Sequence, residues 1–130
     1  MTRSFLMILL LLSSRPAYVE WVAVSRNVEA GMTVYIDPDT IRRKGDLVKL
    51  WALYDFKTVQ TGAGNPYLSF EQQSEYDCTE ERMLFLASTR SSGNMGNGNV
   101  TDADSDEAKW TPVSPRSLGQ SLWKVACGKK

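Results

Sequence analysis

The absence of histidine from these 130 residues is the composition's most discriminating entry for chemistry. Without imidazole there is no Ser-His-Asp or Cys-His unit and no metal site that needs a histidine ligand. Asp37 and Asp39 flank Pro38, and the trio reads as turn chemistry: Asp37 accepts from the backbone two residues on, and proline presets the bend. Nothing around them would split their pKa values, as paired acid/base carboxylates require. Asp102, Asp104 and Asp106 open like a calcium loop, but the sixth position is Glu107 rather than glycine and the twelfth is Val113 rather than glutamate. A solvated acidic loop is the better reading. Gly62 and Gly64 precede neither a helix start nor a lysine, so they form no phosphate cradle. The expectation is a protein that is not an enzyme, with no cofactor and no metal, since no acid, base and nucleophile assemble.

Cys78 and Cys127 are the only cysteines. Near the start, Arg3 precedes the unbroken apolar run Phe5 to Leu12, which has the form of a secretory signal and is far shorter than the ~20 residues a membrane helix needs. The expected signal peptide is residues 1–17. Ala17 suits the last residue removed, while Arg15 stands where a small residue is favoured. An even cysteine pair in an exported chain most often forms a disulfide. A bridge closing a loop of about 50 residues would contribute roughly 4 kcal/mol in the loop-closure picture. A redox or metal pair would want the C-x-x-C spacing that is missing here.

A protein ligand could meet a face of the sheet, and two loops also carry residues suited to binding. Arg42-Arg43-Lys44 could read a small anionic partner, heparin-like or an acidic protein, although such triplets are commonly just solvated. Ser91 to Asn99, SSGNMGNGN, is dense in glycine and asparagine, and Asn94, Met95 and Asn97 could meet a ligand there. Lys+Arg and Asp+Glu are both 15. Loss of residues 1–17 removes Arg3 and Arg15 and no acid, leaving a net charge of −2. A nucleic-acid partner is therefore not expected.

The elements that must position these groups read mostly as strands. Leu47 to Phe56, LVKLWALYDF, is rich in β-formers and free of glycine and proline, with Leu47, Trp51 and Leu53 on one face and Val48, Leu50, Ala52 and Tyr54 on the other. It is the expected central strand of one domain. Glu20 to Ser25 and Met32 to Asp37 form a hairpin before it, and Arg42 to Asp46 is a second hairpin turn. Lys57 to Pro66 reads as a loop. Tyr67 to Cys78 and Arg82 to Thr89 pair antiparallel, the latter with Met83, Phe85 and Ala87 on one side and Leu84 and Leu86 on the other. From Ser117, the capping pair Ser117/Gln120 and the stripe Leu118, Leu122, Val125 and Ala126 predict a short helix stopped by Gly128. The fold class is α+β: a single antiparallel sheet of about six strands packed by a short C-terminal helix.

Taken together, YIDPDTIRRKGDLVKLW, SEYDC and the strand after it, SSGNMGNGNV, and KWTPVSPRSLGQSLWKVACGKK resemble the surface-adhesin protein E family of Gram-negative bacteria. The likeness runs from about Glu20 to the C-terminus and marks residues 18–130 as an adhesin E-like domain. It implies the same sheet-and-helix architecture, the Cys78–Cys127 bridge, binding of protein ligands such as host matrix proteins, and pairing as a homodimer. The family's lipid-attachment cysteine has no counterpart here, which favours a periplasmic or secreted form. The matched motifs are turns, core positions and the bridge, so no binding residue carries over. The alternatives are an envelope structural or assembly protein and a small-ligand carrier, for instance for haem, with Trp51, Tyr54 and Tyr67 lining the site.

Overall fold

The computed structural model describes residues 19–129 except 28, 63 and 107. The expected signal peptide thus lies outside the described residues. Among the described residues there are eight strands, the longer ones marked by alternation of apolar and polar residues between turn formers: β1 (Val22–Asn27), β2 (Met32–Ile36), β3 (Arg42–Lys44), β4 (Leu47–Gln60), β5 (Tyr67–Asp77), β6 (Arg82–Ser91), β7 (Val100–Asp104) and β8 (Thr111–Pro112), followed by helix α1 (Leu118–Cys127). All pairings are antiparallel, in the order β1-β2-β4-β5-β6-β7. β2 pairs with Ala52–Phe56 of β4, and β3 takes the lower stretch of that same edge, Leu47–Lys49. β8 pairs with β6 at Arg82 and Met83, below β7. Six strands carry the main path, as expected, and β3 and β8 are short additions.

Two departures have local causes. Arg42–Lys44 was expected in a turn, but only Gly45 and Asp46 turn; Gly45 adopts φ +60°, which frees the three cations to pair as a strand. Asp102 and Asp104 were expected in a loop, yet they lie in β7, where backbone pairing to Ser88 and Arg90 overrides weak β-propensity. β4 also runs four residues further than expected, to Gln60.

Helix α1 closes one face of the sheet. Leu122, Trp123, Ala126 and Cys127 pack with Val34, Ile36, Val48, Leu50, Ala52, Tyr54 and Tyr76 in a single core. Each large side chain fully buried in this way contributes about 1.5–3 kcal/mol. The helix starts where Ser117 Oγ accepts from Gln120 N (3.1 Å), and Gly128 ends it. Its buried stripe keeps Leu122 and Ala126, with Leu118 packed against the core and Cys127 facing inward, but Val125 is exposed and Trp123 faces inward instead. Two bonds tie the helix to the sheet in this orientation. Cys127 is bridged to Cys78, with Cα atoms 5.5 Å apart, and Trp123 Nε1 donates to Asp77 O at 2.7 Å.

The Asp77–Cys78 corner that receives both bonds is itself stiff. Asp77 Oδ1 accepts from Thr79 N and Glu80 N, and Oδ2 pairs with Arg82 Nε at 3.1 Å. These hydrogen bonds, the one from Glu80 first, hold its carboxyl below the usual carboxylate range.

Candidate functional site

The face of the sheet away from α1 is defined by alternation along β4. Leu47, Lys49, Trp51, Leu53 and Asp55 point there, opposite the core residues Val48, Leu50, Ala52 and Tyr54. Cross-strand partners extend it in rows: Tyr35, Leu53, Glu71 and Thr89 in one, Trp51, Gln73 and Ala87 in another. A bulge between Gln73 and Ser74 shifts the register, so Phe85 opposes Ser74 while Ala87 opposes Gln73. Phe85 and Ala87 therefore lie on opposite faces, contrary to the simple alternation expected for that strand.

At one end this face is covered by the Gly/Asn segment, which is a strap hydrogen-bonded to the sheet. Asp55 Oδ1 accepts from Met95 N (2.8 Å) and from Asn94 Nδ2 (3.1 Å), and the same amide donates to Phe56 O. Ser69 Oγ donates to Gly93 O and accepts from Gly96 N. Gly96 has φ +75°, a conformation that favours glycine, and a Cβ there would push aside the Glu71 carboxylate, 2.8 Å away. Beneath it Leu53 has no exposed surface. Glu71 is caught in the same place: burial raises its pKa above the ordinary value, and the charge of Asp37 adds to the rise.

At the other end lies a cavity of about 490 Å³ lined by Arg42, Arg43, Lys44, Leu47, Lys49 and Glu75. By register Arg42 sits opposite Lys49, Lys44 opposite Leu47, and Lys49 opposite Glu75 on its other side. Like charges placed directly opposite one another are unfavourable to a sheet. Among the described residues, only Asp77–Arg82 and Arg90–Asp102 come within ion-pair distance, so none of these four cations is matched by a carboxylate. Backbone carbonyls position the guanidiniums without neutralising them: Arg42 Nη1 donates to Asp39 O and Ile41 O, and Arg43 Nη1 to Gly45 O.

The six residues expected to contact ligand thus separate into two groups. Arg42, Arg43 and Lys44 gather at the cavity. Asn94 is engaged with Asp55 and Phe56, Met95 is half-buried, and Asn97 is exposed at the strap's end. Eight residues of β4, roughly 26 Å, separate the two groups. Lys49 and Glu75 escaped the sequence reading. A signal for Lys49 existed, since a two-residue turn at Gly45-Asp46 places Lys44 opposite Leu47 and hence Arg42 opposite Lys49.

The aromatics divide in the same way. Tyr54 stacks on Phe70 with ring centroids 4.3 Å apart, and Phe56 and Tyr67 pack edge-on beside them, all on the core side. Burial pushes the Tyr54 pKa up to about 12. Trp51 projects from the opposite face, so Trp51, Tyr54 and Tyr67 do not line one small-molecule site together. A second depression, about 320 Å³, has Arg26, Thr33, Tyr35, Asp55 and Lys57 among its lining. Among the described residues no three carboxylates or cysteines gather to hold a metal ion, and no helix is long and apolar enough to cross a membrane.

Solved structures of Haemophilus influenzae protein E share this fold. One crystal form superposes with a TM-score of 0.65 at 14% identity, covering 88% of this chain and 94% of that one. A second structure gives 0.63, with 88% and 90% covered, and one from a non-typeable strain gives 0.57, with 88% and 81%. No curated protein sequence matches the chain significantly. The family model for surface-adhesin protein E matches residues 21–128, from just before β1 to the glycine that ends α1, and the chain belongs to that family.

Proposed function

We propose that this chain is an exported, non-enzymatic adhesin domain that takes a protein ligand, such as a host matrix protein, on the sheet face opposite α1. Family membership supports a surface adhesin. The observation that carries the choice of face is the position of Tyr35 and Trp51, which are only half-buried and outside the core, with Lys49 beside Trp51 on the same face of β4 and Arg26 and Lys57 beside Tyr35. Aromatic and arginine side chains are the residue types that dominate binding energy at protein interfaces. The core side offers less, because α1 and the Tyr54–Phe70 cluster already occupy it.

Purified mature protein titrated over a panel of immobilised matrix proteins tests the reading. Saturable binding is expected, and Trp51→Ala should weaken it by about tenfold or more, the loss typical of an interface anchor, with thermal unfolding unchanged. Absence of saturable binding across the panel, or full affinity in both Trp51→Ala and Tyr35→Ala, would sink the assignment.

A further inference from the structure

We infer that the cavity between β3 and β4 is a binding site for the sulfate and carboxylate groups of an anionic polysaccharide. Arg42, Lys44 and Lys49 form a triangle there. Two of them lie two residues apart on one strand, about 7 Å, and two lie directly across the pair, about 5 Å. Three cations this close, with one acid beside them and no ion pair, concentrate positive potential over a small area. The Arg42–Lys49 opposition is unfavourable to the sheet by itself and is relieved when an anion sits between the two groups. Backbone carbonyls hold the two guanidiniums in place beforehand, which lowers the ordering cost of binding.

Two features favour a sugar chain over an acidic peptide. Leu47 lines the cavity across from Lys44 and two residues from Lys49, an apolar surface on which the C–H face of a pyranose ring can pack while its substituents reach the charges. An added peptide strand would need a long free edge, whereas β3 offers three residues. The triangle also calls for anionic groups spread in two dimensions, as on a densely sulfated sugar, while an extended peptide presents like-facing carboxylates in a single line.

The test is independent of any protein ligand. Mature protein is titrated with size-defined heparin fragments, with unsulfated dextran and with poly-glutamate, at several salt concentrations. Heparin fragments should bind, dextran should not, and affinity should fall steeply with salt as the Debye length shrinks from about 10 Å at 0.1 M to about 3 Å at 1 M. The triple variant R42A/K44A/K49A should lose tenfold or more in affinity. The charge-matched triple K109A/K124A/K129A should keep it, with both variants unfolding at the wild-type temperature. Equal loss in both triples would reduce the effect to net charge, and unchanged binding in R42A/K44A/K49A would remove the site. Poly-glutamate binding as tightly as heparin would replace the polysaccharide with an acidic peptide partner.

Discussion

The two faces of this sheet are closed by different means. On one, a ten-residue helix contributes four buried side chains to the core and is anchored at the Asp77–Cys78 corner by a disulfide and an indole hydrogen bond. On the other, a strap of glycine and asparagine is held by hydrogen bonds to Asp55, Phe56 and Ser69 and lies over Leu53. Hydrophobic burial and a covalent link secure the first; polar bonds, each contributing about 1 kcal/mol net, secure the second. The contrast places stability on the core side and leaves the helix-free face available to specialise. There the cations of β3 and β4 stand unpaired by acid, an arrangement that the fold tolerates and does not require.

The largest effect expected from breaking this contrast comes from the bridge. Replacing Cys78 and Cys127 by serine should cost about 4 kcal/mol, the loop-closure value for a sequence separation of 49, read as a lower urea midpoint and an earlier loss of the near-ultraviolet signal of Trp123. A variant with wild-type stability would mean that packing alone holds α1.

Asp55→Ala should have a smaller and more local effect. It leaves two strap donors without their acceptor, at about 2 kcal/mol. Amide exchange should accelerate at Met95 while the amides of α1 stay protected. Uniform acceleration through both regions would show that the two faces unfold as one unit.

The smallest effect concerns Glu71. A carboxyl whose folded pKa is raised binds its proton more tightly folded than unfolded, so its charge opposes folding above that raised value and the penalty disappears below the ordinary 4.5. Glu71→Gln should therefore stabilise the protein modestly at pH 7, and the difference from wild type should vanish as the pH drops below 4.5. Asp77 runs the other way. Its lowered pKa contributes stability above its ordinary value, and that contribution is lost as the pH falls through the lowered one. A Glu71→Gln variant that is less stable at pH 7 would show the carboxylate to be a needed partner of the strap.

Much of this architecture was legible in the residues because strand signals are local. LVKLWALYDF declared a two-faced central strand, SEYDC with the strand after it declared a hairpin, and Ser117, Gln120 and Gly128 marked both ends of the helix. What escaped was set by contacts distant in sequence. The helix stripe lost Val125 and gained Trp123 because the Trp123 indole answers to a corner 46 positions earlier. The extra residue at Leu86, opposite Gln73 and Ser74, reversed Ala87, and a strand's own alternation does not report where its pairing to a neighbour slips.

By itself, then, the sequence determined the cores of the longer strands, the helix and the pairing of its two cysteines, since alternation, capping chemistry and a lone even pair need no knowledge of the rest of the molecule, whereas the short strands β3 and β7 exist only by pairing to β4 and β6. Only the tertiary structure decided that the Gly/Asn segment lies down over Leu53 and that Glu75 joins the cations of β3 and β4 at one cavity. Both depend on which strand edges meet, and strand register is a property of the assembled sheet.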